Sequence, residues 1–176
     1  MAAVAVAPLV LAWAAYLFWT PDRHMNHGEL IEPHQLPVGP LTLRDGKPFR
    51  LESHRGKWVL LHADSGACAD SCRKQLYYMR QVRLAQGANQ ERIDRVWLLT
   101  DDRQPPADIA TLYEGVDIVR AAGSALVAAL PADRDVSDHV YLVDPLGNLM
   151  LRFPRNPDPK GMVKDLQRLL KVSRIG

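Results

Sequence analysis

Trp58-Val59-Leu60-Leu61-His62-Ala63 followed by Gly66-Ala67-Cys68-Ala69-Asp70-Ser71-Cys72 decides how this chain is read. The apolar run from Trp58 to Ala63 has the length and composition of a buried strand. Beyond Cys72, Leu76, Met79, Val82 and Leu84 recur at helical spacing, and Gly87 follows as a C-terminal stop. The only two cysteines of the chain, Cys68 and Cys72, therefore sit where a strand hands over to a long helix.

That placement has chemical consequences. A thiol at a helix N-terminus has its thiolate favoured by the macrodipole, which raises its reactivity toward disulfides and soft metals. Asp70 between the cysteines works in the opposite direction. Residues four apart in a regular helix hold their β-carbons on the order of 6 Å apart, wider than the roughly 3.5–4.5 Å of a disulfide. An internal disulfide thus requires Cys68 in the bend before the helix, where it would be the more exposed thiol. A metal is less demanding. Two thiolates and one imidazole suit Cu(I) or Zn(II), and a pair of cysteines without an obvious further pair of ligands favours transferable three-coordinate copper over a closed zinc site.

Outward from this junction, strands and helices alternate. Leu41–Leu43 and Phe49–Leu51, separated by Asp45-Gly46, read as an antiparallel ribbon. Val96–Thr100 is a second buried strand, Ala107–Tyr113 a short helix behind Pro105-Pro106, and Val116–Val119 a third strand. Ala121–Leu130 suits a helix, His139–Val143 and Leu149–Phe153 a hairpin around Asp144-Pro145-Leu146-Gly147, and Asp158–Val172 an amphipathic helix. The pattern implies an α/β sandwich with a mixed central sheet.

Ala2–Trp19 carries no charged side chain and is long enough to cross the hydrocarbon layer as a helix, with Trp13, Tyr16 and Trp19 toward one end. It reads as one N-terminal transmembrane anchor over 1–20; a cleaved signal peptide fits less well, since no small-x-small site follows. No Lys or Arg precedes the segment to orient it. Residues 21–39, rich in Pro, His, Asn and Gly, read as a tether, and the domain is expected over 40–176. A net charge of +2 in 176 residues, with both signs interspersed, gives no footprint for nucleic acid.

Gly56-Lys57-Trp58-Val59-Leu60-Leu61-His62, the Cys68-x-x-x-Cys72 pair, and Asp138-His139 ahead of Tyr141-Leu142-Val143-Asp144-Pro145-Leu146-Gly147 resemble the thioredoxin superfamily. Within it they resemble the Sco/SenC family of membrane-anchored copper chaperones for cytochrome c oxidase assembly. The resemblance implies a thioredoxin-like sandwich, a single-pass protein of the inner (cell) membrane facing the periplasm, and an oxidase subunit or other copper or thiol client as partner. It implies Cys68 and Cys72 as the reactive pair, and Cu(I) held by Cys68, Cys72 and His139. Two departures stand out. Ala69 occupies a position where the family usually has Pro, and His139 lies only two residues before Tyr141.

Plainer readings stand beside these. His139 reads equally well as a residue closing a strand entrance, His62 as a core or interface residue, and Asp101 and Asp102 as loop or capping carboxylates. His24, Met25 and His27 read as parts of a polar tether. Alternatives to the copper chaperone are a general thiol-disulfide oxidoreductase of the thioredoxin/TlpA type, needing no cofactor, with Cys68 attacking and Cys72 resolving, and a non-catalytic interaction module with a passive disulfide.

Overall fold

The computed structural model describes residues 26–112, 114–173 and 175, together with 8 and 12–14. The anchor expected over 1–20 and the start of the tether thus fall almost wholly outside the described residues. Among the described residues, no helix is long and apolar enough to cross a membrane.

The elements in chain order are β1 (Glu29–Gln35), β2 (Leu41–Leu43), β3 (Pro48–Phe49), β4 (Trp58–Asp64), α1 (Asp70–Leu84), β5 (Ile93–Leu99), α2 (Ala107–Leu112), β6 (Asp117–Arg120), α3 (Ala125–Ala128), β7 (Val140–Val143), β8 (Asn148–Phe153) and α4 (Pro159–Val172). They build one eight-stranded mixed sheet in the order β1-β8-β7-β4-β5-β6-β2-β3. β4, β5 and β6 run parallel, and every other pair is antiparallel. The parallel strands need crossovers, and α1 supplies the first.

Alternation along β4 sorts the core into two layers. Trp58 and Leu60 face the layer filled by Cys72, Leu76, Met79 and Val82 of α1 and by Met162, Leu166 and Leu170 of α4. Val59, Leu61 and Ala63 face the other layer, with Val96, Leu98, Tyr141, Val143 and Leu126. The buried residues of α1, at 72, 75, 76, 79 and 82, form a stripe at the 3–4 spacing that a helix needs to lie on a sheet. α4 starts under a full cap, since Asp158 accepts from the Lys160 and Gly161 amides at 3.1 Å each, with Pro159 in the first turn.

Three expectations change. Residues 29–35, expected in the tether, form β1 on the sheet edge, and Asp165 of α4 accepts from the His27 and Gly28 amides at 2.7 and 2.9 Å. Leu51 belongs to a 3-10 turn, Leu51–His54, instead of a strand. The helix expected over 121–130 contracts to one turn, capped by Ser124, whose Oγ accepts from the Val127 amide at 3.3 Å.

Candidate redox and metal site at the strand–helix junction

Between β4 and α1 the chain turns through Ser65–Ala69. The Cys68 amide donates to the Ser65 carbonyl at 3.0 Å, and Cys68 adopts φ 45°, a left-handed conformation that few residues other than glycine take. Ala69 then caps α1 in an extended conformation, without a side-chain hydrogen bond. This bend brings Cys68 back toward Cys72: the Cα atoms are 5.0 Å apart and the sulfurs form a disulfide. Cys68 thus lies before the helix, as the spacing required. Cys72 occupies the third helical position, inside the first turn whose amides lack intrahelical partners.

Both cysteines are buried: Cys68, the more accessible of the pair, is 2% and Cys72 0% accessible. The loop is held by Asp101, just beyond β5. Its carboxylate accepts from Ser65 Oγ at 2.6 Å, the Gly66 amide at 2.8 Å and the Arg103 amide at 3.2 Å. These bonds, Ser65 first, hold the Asp101 carboxyl below the usual range. Gly66 is required here, because a β-carbon would collide with the Arg103 backbone. Arg73 of α1 meets Asp108 of α2 at 2.6 Å, closing the flank of the site.

The histidine beside the pair is His62. A ring nitrogen of His62, a carboxylate oxygen of Asp64 and Sγ of Cys72 all lie within 4.8 Å of one another. His62 Nδ1 donates to the His139 carbonyl at 2.8 Å. A carbonyl only accepts, so Nδ1 carries the hydrogen. Nε2 is buried without a hydrogen-bond partner, 3.6 Å from Asp64 Oδ2. A buried imidazole nitrogen and a carboxylate oxygen beside a cysteine sulfur form a donor set for a soft or borderline metal.

His139, expected as the third ligand, is not in this cluster. Its Nδ1 donates to the Phe153 carbonyl at 2.9 Å, and its ring lies 5.8 Å from that of Tyr141, whose side chain belongs to the opposite core layer from Cys72. A histidine within an apolar strand reads as a core or interface residue, yet β4 carries the signal that places His62. Positions 62 and 64 share the parity of Trp58 and Leu60, hence the face on which α1 packs. His27 is tied to α4, its Nδ1 3.4 Å from Asp165, while His24 and Met25 lie outside the described residues.

The family model "Transmembrane-like, thioredoxin-like, C-terminal domain" matches residues 58–173. The chain belongs to that family. The family's span runs from the first residue of β4 through all of α4 and includes the whole cysteine site. Among curated proteins nothing matches the sequence at a significant level. Among solved structures the fold is similar to yeast Sco1 with copper bound, with a TM-score of 0.65, 20% identity, and coverage of 81% of this chain and 96% of that one. It is also similar to BsSco, described as having a disulfide switch and as a member of the Sco family of cytochrome c oxidase assembly proteins. There the TM-score is 0.61 at 14% identity, covering 80% of this chain and 96% of that one. The thioredoxin domain of a thiol-disulfide oxidoreductase from Bacteroides vulgatus gives 0.59 at 16% identity, covering 81% and 99%. At such identities the shared property is the Sco-type thioredoxin fold.

Proposed function

We propose that this chain is a Sco-like factor of cytochrome c oxidase assembly. In this reading Cys68 and Cys72 cycle between disulfide and dithiol, and the dithiol takes Cu(I) as cargo or reduces the cysteines of a client copper site. The observation that carries it is the cysteine pair closed at the N-terminus of α1, with a buried unpartnered imidazole nitrogen beside Cys72. The copper-bound Sco1 and the disulfide switch of BsSco support it through the shared fold. The apolar, uncharged composition of residues 2–19 supports an anchor in the inner (cell) membrane, with the domain on the periplasmic side near a membrane-bound client.

The exchange balances as follows. The Cys68 thiolate attacks one sulfur of a client disulfide and expels the other as a thiolate. The Cys72 thiolate then attacks the Cys68 sulfur, releasing the second client thiolate and closing the Cys68–Cys72 bond. Two electrons pass to the client, and a partner dithiol restores the pair. Because both sulfurs are buried, attack requires displacement of the side chains around Cys68. The same exchange without copper defines the second reading, a general oxidoreductase, which the fold shared with the Bacteroides domain favours.

The test equilibrates the full chain in thiol redox buffers and follows the dithiol by alkylation. A potential between about −150 and −300 mV marks an exchanging pair, whereas one far below about −300 mV marks a passive disulfide and overturns both readings. Anaerobic titration of the reduced chain with Cu(I) against a chromophoric chelator separates the two readings. One tightly bound equivalent, lost in Cys68→Ser and in Cys72→Ser, is the result expected of the copper factor.

A further inference from the structure

We infer that His62, and not His139, supplies the nitrogen ligand when the reduced pair binds Cu(I); this rests on the copper reading above. The donor set is then Cys72 Sγ and His62 Nε2, which the structure places together, joined by Cys68 Sγ, Cys72's disulfide partner, once the disulfide is reduced, with the two thiol protons leaving to solvent as the metal enters.

Four observations lead to His62. Its ring is within 4.8 Å of Cys72 Sγ and of Asp64. It is fully buried, and Nε2 makes no hydrogen bond, with Asp64 Oδ2 3.6 Å away, so a polar atom stands in the core without the bond that would offset its burial. Nδ1 donates to a backbone carbonyl, the outer contact that fixes the tautomer and orientation of metal-binding histidines. Finally, His62 stands in β4, a central strand paired on both sides, through Tyr141–Val140 of β7 and Trp97 of β5, so the ligand is held on a rigid element.

His139 shares the burial and the Nδ1 donation to a backbone carbonyl, but it is absent from the cluster with Cys72 and Asp64 and stands just before β7 instead of within a central strand. Its Nδ1 is committed to Phe153 and its ring accompanies Tyr141 on the other face. What residue 139 does provide is its carbonyl, which orients His62. The downstream histidine position therefore acts through its backbone, and any residue there keeps that contact.

The experiment loads the reduced full chain with Cu(I) and reads both affinity, by competition with the chelator, and the copper K-edge X-ray absorption spectrum. The wild-type spectrum should show two sulfurs and one imidazole. In His62→Gln the imidazole scattering should vanish and affinity should fall about tenfold or more, while His139→Ala should retain the imidazole and stay within about threefold of wild type. Imidazole scattering that survives His62→Gln, or that disappears in His139→Ala, overturns the assignment while leaving the copper reading intact. No competitive Cu(I) binding by wild type overturns both and leaves disulfide exchange. If His62→Gln does not fold, long-range 1H–15N spectra of the wild-type imidazoles decide instead. Cu(I) should shift His62 Nε2 and leave the His139 nitrogens in place, and the reverse pattern overturns the inference.

Discussion

Asp101 does for the cysteine loop what no residue inside the loop can do. One carboxylate from the end of β5 gathers Ser65 Oγ and two amides, and so fixes the turn that delivers Cys68 into its left-handed conformation. Asp101→Asn should cost about 1 kcal/mol of stability in urea unfolding, the size expected for charge-assisted bonds at a partly exposed group. In a double-mutant cycle, most of the loss should be shared with Ser65→Ala, because both changes remove the same bond. Fully additive losses would show that Asp101 acts through something else. Gly66→Ala makes the complementary case: the added methyl has no space against Arg103, so it should destabilise the domain although the surface is polar. At this scale the cysteines were legible because their spacing and placement have few alternative uses. His62 was harder to assign, because a histidine in an apolar run looks like core until the strand's alternation is laid against the face that α1 covers.

Elements were legible in proportion to how much they bury. β4, α1, β5, β8 and α4 carry apolar periodicity because each contributes a face to one of the two core layers. β1 carries almost none. Its side chains are exposed or half-buried, Pro33 lies within it, and its register with β8 shifts between Leu30 and His34. Such a strand joins mainly through backbone bonds, helped by Arg152 of β8 on Glu29 at 2.6 Å and by Ile31 against the core, and its Glu and Pro residues discourage pairing with another chain. Its docking depends on Asp165, 2% exposed, which accepts from the amides of His27 and Gly28. Asp165→Ala leaves the buried Gly28 amide and the part-buried His27 amide without their acceptor and should cost about 1–3 kcal/mol. Hydrogen exchange should accelerate across 29–35 and remain slow in β4 and β5; uniform acceleration, or none, would mean that the strand is held by other contacts.

At the scale of the whole molecule, the sheet separates two charged ends. The C-terminal ends of β4 and β5 carry the cysteine site. Their opposite ends are locked by His54, whose Nδ1 meets Asp94 at 2.8 Å and whose Nε2 meets Asp117 at 3.3 Å, with Lys57 on Asp94 at 3.0 Å. This joins the turn before β4 to the other two parallel strands, β5 through Asp94 and β6 through Asp117. Burial disfavours the imidazolium, but the bonds to Asp117 and Asp94 outweigh it and raise the His54 pKa to about 9. A pKa raised on folding means that the native state binds the proton more tightly. The stabilisation is therefore complete below the unfolded value near 6.5 and is lost as pH climbs through about 9. With allowance for solvent reaching the partly exposed Asp117, the loss should be about 2–3 kcal/mol. Urea unfolding at pH 6, 7.5 and 9.5 should show that decline in wild type and a much flatter profile in His54→Gln. Parallel profiles would assign the pH dependence to other groups. Because the seven-residue β4 lies between His54 and Cys68, the His54→Gln variant should keep the wild-type reduction potential even where its stability has fallen.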